Sequence, residues 1–244
     1  MIHYHGTPIG GTRQDVARFL MGRHALVPFP RPDDLPAVAD VCQSFCLDNG
    51  AFSVWKRGAV LDVGGYIKWC EEWHRHPSFD WALIPDSIEG GEEENDALLL
   101  DWPASIRGVP VWHLHEGLER LERLVADYDT VAFGSSGAWA TPGAAAWWQR
   151  MSEAMGVITD PQGRPYCRLH GLRMLDPMIF THLPFASADS TNAAANCGSL
   201  GRFGSYLPPT AAQRAAVIAE RIERFSSAPV WRRDAITEQP GLAI

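Results

Sequence analysis

Three aspartates stand where apolar runs of the sequence end, a position from which a carboxylate can act as an acid, a base or a nucleophile. They are Asp48, Asp86 and Asp189. Buried parallel strands are continuous apolar runs, and their carboxyl ends share one edge of a sheet, so these carboxylates are predicted to meet there. An aspartate before two hydroxyl residues is also typical of a helix N-cap, and this alternative predicts that Asp189 caps a helix starting at Ala193.

The elements that must position these carboxylates alternate between short apolar runs and helical patterns. Eight runs are predicted to be strands: 2–5, 24–29, 45–52, 79–86, 109–116, 130–133, 168–172 and 185–189. This order predicts an α/β protein with one domain, a (β/α)8 TIM-like barrel over residues 1–225, followed by a carboxy-terminal tail, 226–244. A doubly wound open sheet is the alternative, which the lack of a dinucleotide-binding fingerprint disfavours.

The composition is that of an acidic protein with a sizeable core. The 244 residues carry a net charge of -8, so a nucleic-acid partner would need a local basic patch. Five cysteines without a CxxC pair predict reduced thiols in a cytoplasmic protein. The amino terminus lacks the pattern of a signal peptide, and no apolar stretch is long enough to predict a membrane span.

The motifs at the strand ends resemble those of the tRNA-guanine transglycosylase (queuine tRNA-ribosyltransferase) superfamily. The segment Leu47-Asp48-Asn49-Gly50-Ala51-Phe52 is similar to the family's Asp-Ser-Gly-Gly-Phe signature, with an asparagine at its second position. The later motifs follow in the family's order. They are Asp86, His115 in place of a glutamine, Gly134 with Ser135, Gly171, and Asp189 at the position of the nucleophile.

The resemblance implies a base exchange in which guanine in nucleic acid is replaced by a 7-deazaguanine base, for example a preQ0-like one. The tRNA enzymes carry a CxCxxC…H zinc subdomain after the nucleophile, whereas here Cys197 is the one cysteine after Asp189, so neither a metal nor a cofactor is predicted. The sequence is most similar to the compact phage and bacterial relatives that modify DNA. DNA is therefore favoured over tRNA as the partner, and no oligomeric state is predicted.

Exchange at an N-glycosidic bond passes through an oxocarbenium-like state at C1′ of the sugar, which defines roles for two carboxylates. Asp189 is predicted to capture C1′ as the nucleophile, and Asp48 to support guanine departure and then take a proton from the incoming base. Carboxylates in one partly dry pocket push their pKa values apart, so one stays ionised while another holds a proton.

Recognition of guanine requires a second set of residues. Asp86 is predicted to accept hydrogen bonds from N1–H and the exocyclic amine, and Phe52 to stack on the flipped-out base, with Trp112 and Trp139 as alternatives. The groups predicted to address O6 or the 7-substituent are His115, Gly134, Ser135, His170 and Gly171, and for His170 a place in the barrel core is an equal alternative. The cations predicted to form a phosphate-binding rim are Lys56, Arg57 and Arg202, with Arg232 and Arg233 in the tail.

A competing hypothesis uses the histidines as ligands of a metal-dependent amidohydrolase. An HxH pair on the first strand puts both imidazoles on one face, and His3, His5, His115 and Asp189 approximate such a ligand set. The sixth strand ends in glycine where these enzymes use a histidine, which ranks this hypothesis second. A catalytically inactive barrel that binds a nucleobase or nucleic acid is a third alternative.

Overall fold

The computed structural model describes residues 1–7 and 12–232, and these form a TIM-like α/β barrel. All the strand pairs are parallel, and the order around the sheet is β5-β4-β3-β2-β1-β9-β8-β7-β6. The strands are β1 Ile2–Gly6, β2 His24–Pro28, β3 Ser44–Asp48, β4 Phe79–Leu83, β5 Gly108–Val109, β6 Val111–His113, β7 Thr130–Gly134, β8 Arg168–Gly171 and β9 Ser187–Ser190. The barrel predicted from the sequence is thus confirmed.

The nine strands occupy eight positions because Pro110 divides one of them. β5 pairs with β4 and β6 pairs with β7, and the two halves are separated by this single residue. Proline has no N–H to donate to a sheet, but its carbonyl oxygen still accepts a hydrogen bond from Ala132 N at 2.9 Å. We call this interrupted position the seam of the barrel.

Helices follow most of the strands and cover the outside of the barrel. They are α1 Arg13–Leu20, α2 Leu35–Ala39, α3 Ala51–Lys56, α4 Val63–Trp73, α5 Glu92–Leu100, α6 Leu118–Asp127, α7 Ala145–Ile158, α8 Pro177–Phe180, α9 Asn192–Asn196 and α10 Ala211–Glu223. α1 and α10 each begin with a capping box, Thr12 with Asp15 and Thr210 with Gln213. In α6 the buried stripe of leucines and valine has the 3.6-residue period that packs a helix against a sheet.

Side chains alternate between two cores along each strand. Tyr4, Leu26, Cys46 and Val111 fill the barrel interior, whereas their neighbours in sequence pack outward against the helices. β4 departs from this alternation because its register against β3 shifts between Phe45 and Cys46. Such a β-bulge re-aims a side chain, and here it accompanies the inward contact of Asp80 with Tyr4 and Ser44.

Several sequence predictions need correction or fall outside the described part. The third predicted strand, 45–52, is too long, because Gly50 has a left-handed backbone (φ 75°) after which α3 begins. The glycine-rich turn after β1 lies largely in residues 8–11, outside the described residues. Of the tail, Trp231 is buried and donates its N–H to Gly163 O at 2.7 Å, while 233–244 lie outside. The five cysteines form no disulfide.

Among the helices of residues 1–7 and 12–232, none has the length and apolar character that crossing a membrane requires.

Candidate active site

The three strand-end carboxylates line one cavity at the mouth of the barrel, where the carboxyl ends of the strands meet. This central cavity has an empty volume of about 520 Å³, part of it continuous with solvent. Its polar lining comprises Asp48, Asn49, Asp86, His113, Ser135, Arg173 and Asp189. The structure therefore brings together the three aspartates that the sequence singled out, and adds three polar residues that it did not.

Asp189 is held by the loop that follows β8. The residue is 4% exposed, and its Oδ1 accepts a hydrogen bond from Arg173 N at 2.9 Å. The ring nitrogen Nε2 of His170 lies 3.3 Å from the same oxygen. Asp189 does not cap a helix, because α9 begins at Asn192 with Thr191 as its N-cap residue. The N-cap alternative for this residue is thus wrong.

Asp48 is the last residue of β3 and is oriented by the turn that follows it. Its Oδ1 accepts a hydrogen bond from Gly50 N at 2.9 Å. Burial raises the pKa of Asp48 to about 7, against the effect of this hydrogen bond and with the help of the Asp189 and Asp86 charges. Asp48 can therefore hold or release a proton near neutral pH, which is what a general acid/base requires.

Asp86 lies three residues beyond the end of β4 and is clamped from both sides. Asn49 Nδ2 donates to its Oδ1 at 2.7 Å, and His113 Nε2 lies 2.8 Å from its Oδ2. Asn49 is itself fixed, because its Nδ2 also donates to Ile84 O and its Oδ1 accepts from Ala51 N. Each carboxylate oxygen keeps a second lone pair, so Asp86 can still accept hydrogen bonds from a ligand.

The predicted role of His115 at the base-binding site falls instead to His113, the other histidine after the seam. Both ring nitrogens of His115 have protein partners, Ser136 Oγ at 2.7 Å and Gly90 O at 3.0 Å. His113 instead contacts Asp86, and its Nδ1 has no partner among the described residues. A Cβ at Gly134 would lie 2.8 Å from this nitrogen, so the glycine makes room for the ring. His113 is thus the histidine of the central cavity.

The remaining predicted base-contacting residues divide between cavity and core. Phe52 and Ser135 line the central cavity, and the Ser135 hydroxyl accepts from Trp147 Nε1 at 2.9 Å. His170 is fully buried, with Nδ1 2.8 Å from Ser187 Oγ. Gly171 has a packing role, because a Cβ there would lie 2.8 Å from the Phe185 ring. The alternative stacking residue Trp112 is wholly buried against the helices and is therefore wrong.

The predicted rim of cations is not part of the lining. Lys56 and Arg57 are exposed at the end of α3, and Arg202 lies in a 3-10 turn after α9. Of these three, none lines the central cavity or the side chamber, an adjoining space lined by Phe52, Trp55, Ile88, Glu89, His115, Ser136, Ala140 and Arg173. Arg232 is exposed, and Arg233 lies outside the described residues.

The histidines of the hydrolase hypothesis point away from the site. Tyr4 faces the barrel interior, so its neighbours His3 and His5 face outward, where they contact Phe225 O and Glu223. They are thus on the opposite face of β1 from the central cavity. In residues 1–7 and 12–232, no group of three or more histidines, cysteines or acids is placed to hold a metal ion. The geometry does not fit an amidohydrolase ligand set.

The residues that sequence reasoning missed are Asn49, His113 and Arg173. Asn49 stood directly beside a candidate base, which was a usable signal. His113 shares a strand face with His115, and the order of the family motifs pointed to His115. Arg173 carried no signal, since its role depends on a left-handed backbone (φ 56°) that normally marks a glycine.

Comparisons with known proteins give no match: no protein-family profile, curated protein or solved structure is similar to this chain. Any assignment of function must therefore come from the geometry of the central cavity and from the short motifs that line it.

Proposed function

We propose that the protein is a base-exchanging transglycosylase, which replaces guanine in nucleic acid, DNA in preference to tRNA, by a 7-deazaguanine base. The observation that carries the proposal is that three carboxylates line one cavity and each has different surroundings. Asp189 accepts a hydrogen bond from Arg173 N with His170 Nε2 3.3 Å away, Asp86 is clamped by Asn49 and His113, and Asp48 has a pKa of about 7. One nucleophile, one base-reading acid and one proton carrier is the set that the reaction needs.

The reaction divides into two balanced halves. A carboxylate oxygen of Asp189 forms a bond to C1′ as the C1′–N9 bond breaks, and the departing guanine takes the proton of Asp48. The incoming 7-deazaguanine then gives its N9 proton to Asp48, and its N9 displaces Asp189 from C1′. Each residue ends in the protonation state in which it began.

Base selection falls to the clamped carboxylate in this proposal. With Asn49 and His113 fixing its plane, Asp86 presents its free lone pairs to the N1–H and amino group that guanine and 7-deazaguanines share. Phe52 lines the cavity with the Arg173 guanidinium over one face of its ring, and in this proposal the ring contributes an aromatic contact to the base. The protein is acidic overall, and Lys56, Arg57 and Arg202 do not line the cavity. The test therefore compares DNA with tRNA as the substrate.

The test measures entry of a labelled 7-deazaguanine base into guanine-containing DNA and into tRNA, side by side. We expect wild type to label DNA, and Asp189→Asn, which keeps an oxygen for Arg173 N–H, to be slower by about 10³-fold or more. The exposed Asp127→Asn is the matched control and should retain full activity. A reaction stopped by denaturant before the incoming base is added should contain a covalent adduct on the peptide with Asp189.

Two results would overturn the proposal. Label entering neither polymer with wild type would reject the reaction itself. Label entering with Asp189→Asn as fast as with wild type would reject the nucleophile. Faster labelling of tRNA than of DNA would keep the chemistry and reverse the preferred partner.

A further inference from the structure

Arg173 combines a strained backbone with a position beside the candidate nucleophile. Its φ of 56° makes it the one residue other than glycine with a positive φ in the described part of the chain. This left-handed conformation costs a residue with a Cβ about 1 kcal/mol or more, and glycine would adopt it freely. The backbone N–H that reaches Asp189 would be available from glycine as well, so the arginine side chain calls for a separate explanation.

The guanidinium group of Arg173 is stacked and unpaired. Its central carbon lies 3.7 Å from the centre of the Phe52 ring. Within the described residues, no carboxylate oxygen lies within 4.0 Å of its nitrogens, although Asp189 and Asp48 are close enough to influence its charge. A side chain placed to neutralise these acids would pair with one of them. Stacking on Phe52 instead fixes the plane of its N–H donors and leaves them free for a ligand.

The guanidinium group of Arg173 is a positive charge among negatively charged side chains. The side chain is exposed and lines both the central cavity and the side chamber. It is the single Lys or Arg among the described residues that line these two spaces, whereas the acids there are Asp48, Asp86, Glu89 and Asp189. An anionic ligand entering the mouth would be repelled everywhere except at Arg173.

We propose that Arg173 binds a phosphate group of the substrate next to the sugar that Asp189 attacks. This inference rests on the proposed function and makes it more specific: the substrate class is a phosphorylated nucleoside unit, either a free nucleotide or one residue of a polymer. A planar guanidinium offers two parallel N–H donors that match phosphate oxygens. Its charge also offsets the repulsion between that phosphate and the nucleophilic carboxylate.

The test compares three variants with wild type. Arg173→Gly removes the side chain, keeps the N–H to Asp189 and suits the left-handed backbone, so loss of the fold is not expected. Arg173→Lys keeps the charge but not the planar pair of donors. Arg75→Ala, which removes an exposed cation between α4 and β4, outside both spaces, is the matched control.

The measurement is calorimetric titration with guanosine, guanosine 5′-monophosphate, guanosine 3′-monophosphate and a guanine-containing oligonucleotide. Wild type and Arg75→Ala are expected to bind at least one phosphorylated ligand about 10- to 100-fold more tightly than guanosine. Arg173→Gly should lose that preference for phosphorylated ligands over guanosine, and Arg173→Lys should keep part of it. Preference for the oligonucleotide over both mononucleotides would identify a polymer as the source of the phosphate.

The outcomes separate this inference from the proposed function. Equal affinity of wild type for guanosine and for every phosphorylated ligand, or a preference that survives in Arg173→Gly, overturns the role of Arg173. Base exchange on guanosine alone, in that case, would leave the transglycosylase reaction standing. Failure of wild type to bind any of the four ligands would reject both.

Discussion

An aspartate at the mouth of the barrel and an aspartate at its floor have opposite surroundings. At the mouth, Asp48 accepts a hydrogen bond from the Gly50 backbone and faces two further acids, and its pKa rises to about 7. At the floor, where the strands begin, Asp80 Oδ2 accepts from Tyr4 OH at 2.6 Å and also from the Ser44 hydroxyl. Ser44 is in turn 2.7 Å from His24 Nδ1.

The comparison teaches that the surroundings of a carboxylate, its burial, its neighbouring charges and its hydrogen-bond donors, separate a reactive carboxylate from a structural one. The floor network, Tyr4, His24, Ser44 and Asp80, supplies hydroxyl donors to its acid, and a satisfied charge of this kind stabilises the fold. The mouth buries Asp48 beside two further acids, which costs stability but keeps a proton exchangeable at this residue. Substitutions at the two ends should therefore change different properties.

The largest effect is expected from Asp48→Asn on catalysis. Asparagine keeps an oxygen for Gly50 N–H but cannot carry the exchangeable proton, so labelled-base incorporation should fall by about 10²- to 10⁴-fold. Asp101→Asn, at an exposed position after α5, controls for the loss of one charge. Incorporation within threefold of wild type would remove Asp48 from the acid/base role.

The same variant should have a second effect on how stability depends on pH. Because the folded-state pKa of Asp48 is raised from about 4 to about 7, the folded protein binds the extra proton, and its stability falls as pH rises through this window. Asp48→Asn should match wild type near pH 4 and exceed it by about 2–4 kcal/mol at pH 8.

Denaturant unfolding of both proteins at several pH values gives this difference directly, since the other titrating groups cancel. If Asp48→Asn were less stable than wild type at pH 8, the charge of Asp48 would stabilise the fold. The contrast between the destabilising acid at the mouth and the stabilising one at the floor would then be wrong.

The smallest effect is expected from Tyr4→Phe at the floor. The ring volume is kept while Asp80 loses one hydroxyl donor, so the free energy of unfolding should fall by about 1–2 kcal/mol with little change in incorporation. Thermal or denaturant unfolding measures the first quantity and the labelling assay the second. A large loss of activity at unchanged stability would show that the floor network takes part in the reaction. The distinction between a catalytic mouth and a structural floor would then be wrong.

Much of the arrangement at the mouth could be predicted, because the sequence patterns that indicate it are local. An apolar run that stops at a carboxylate places Asp48 at a strand end, and the same pattern predicts Asp86 and Asp189 on other strands. Parallel strands in a barrel then bring their carboxyl ends together whatever the loops do. The barrel and the meeting of three acids follow from this alone.

The floor and the fine structure of the mouth could not be predicted, because they depend on contacts between distant residues. The register shift beside Cys46, which accompanies the inward contact of Asp80, leaves no trace in the alternation of apolar residues. The choice of His113 over His115 depends on the room that Gly134 leaves. The left-handed backbone of Arg173 opposes the preference of its residue type.

Because of the seam at Pro110, the Asp86–His113 contact also links two parts of the barrel. The backbone ladder passes from β4 to β5 and from β6 to β7, and the change of partner occurs at a residue that has no N–H. Asp86 follows β4 and His113 ends β6, so their 2.8 Å contact ties the two sides of the seam together at the mouth. Separating His113 from Asp86 would therefore remove this link across the seam, whereas a ligand that uses the free lone pairs of Asp86 leaves the link in place.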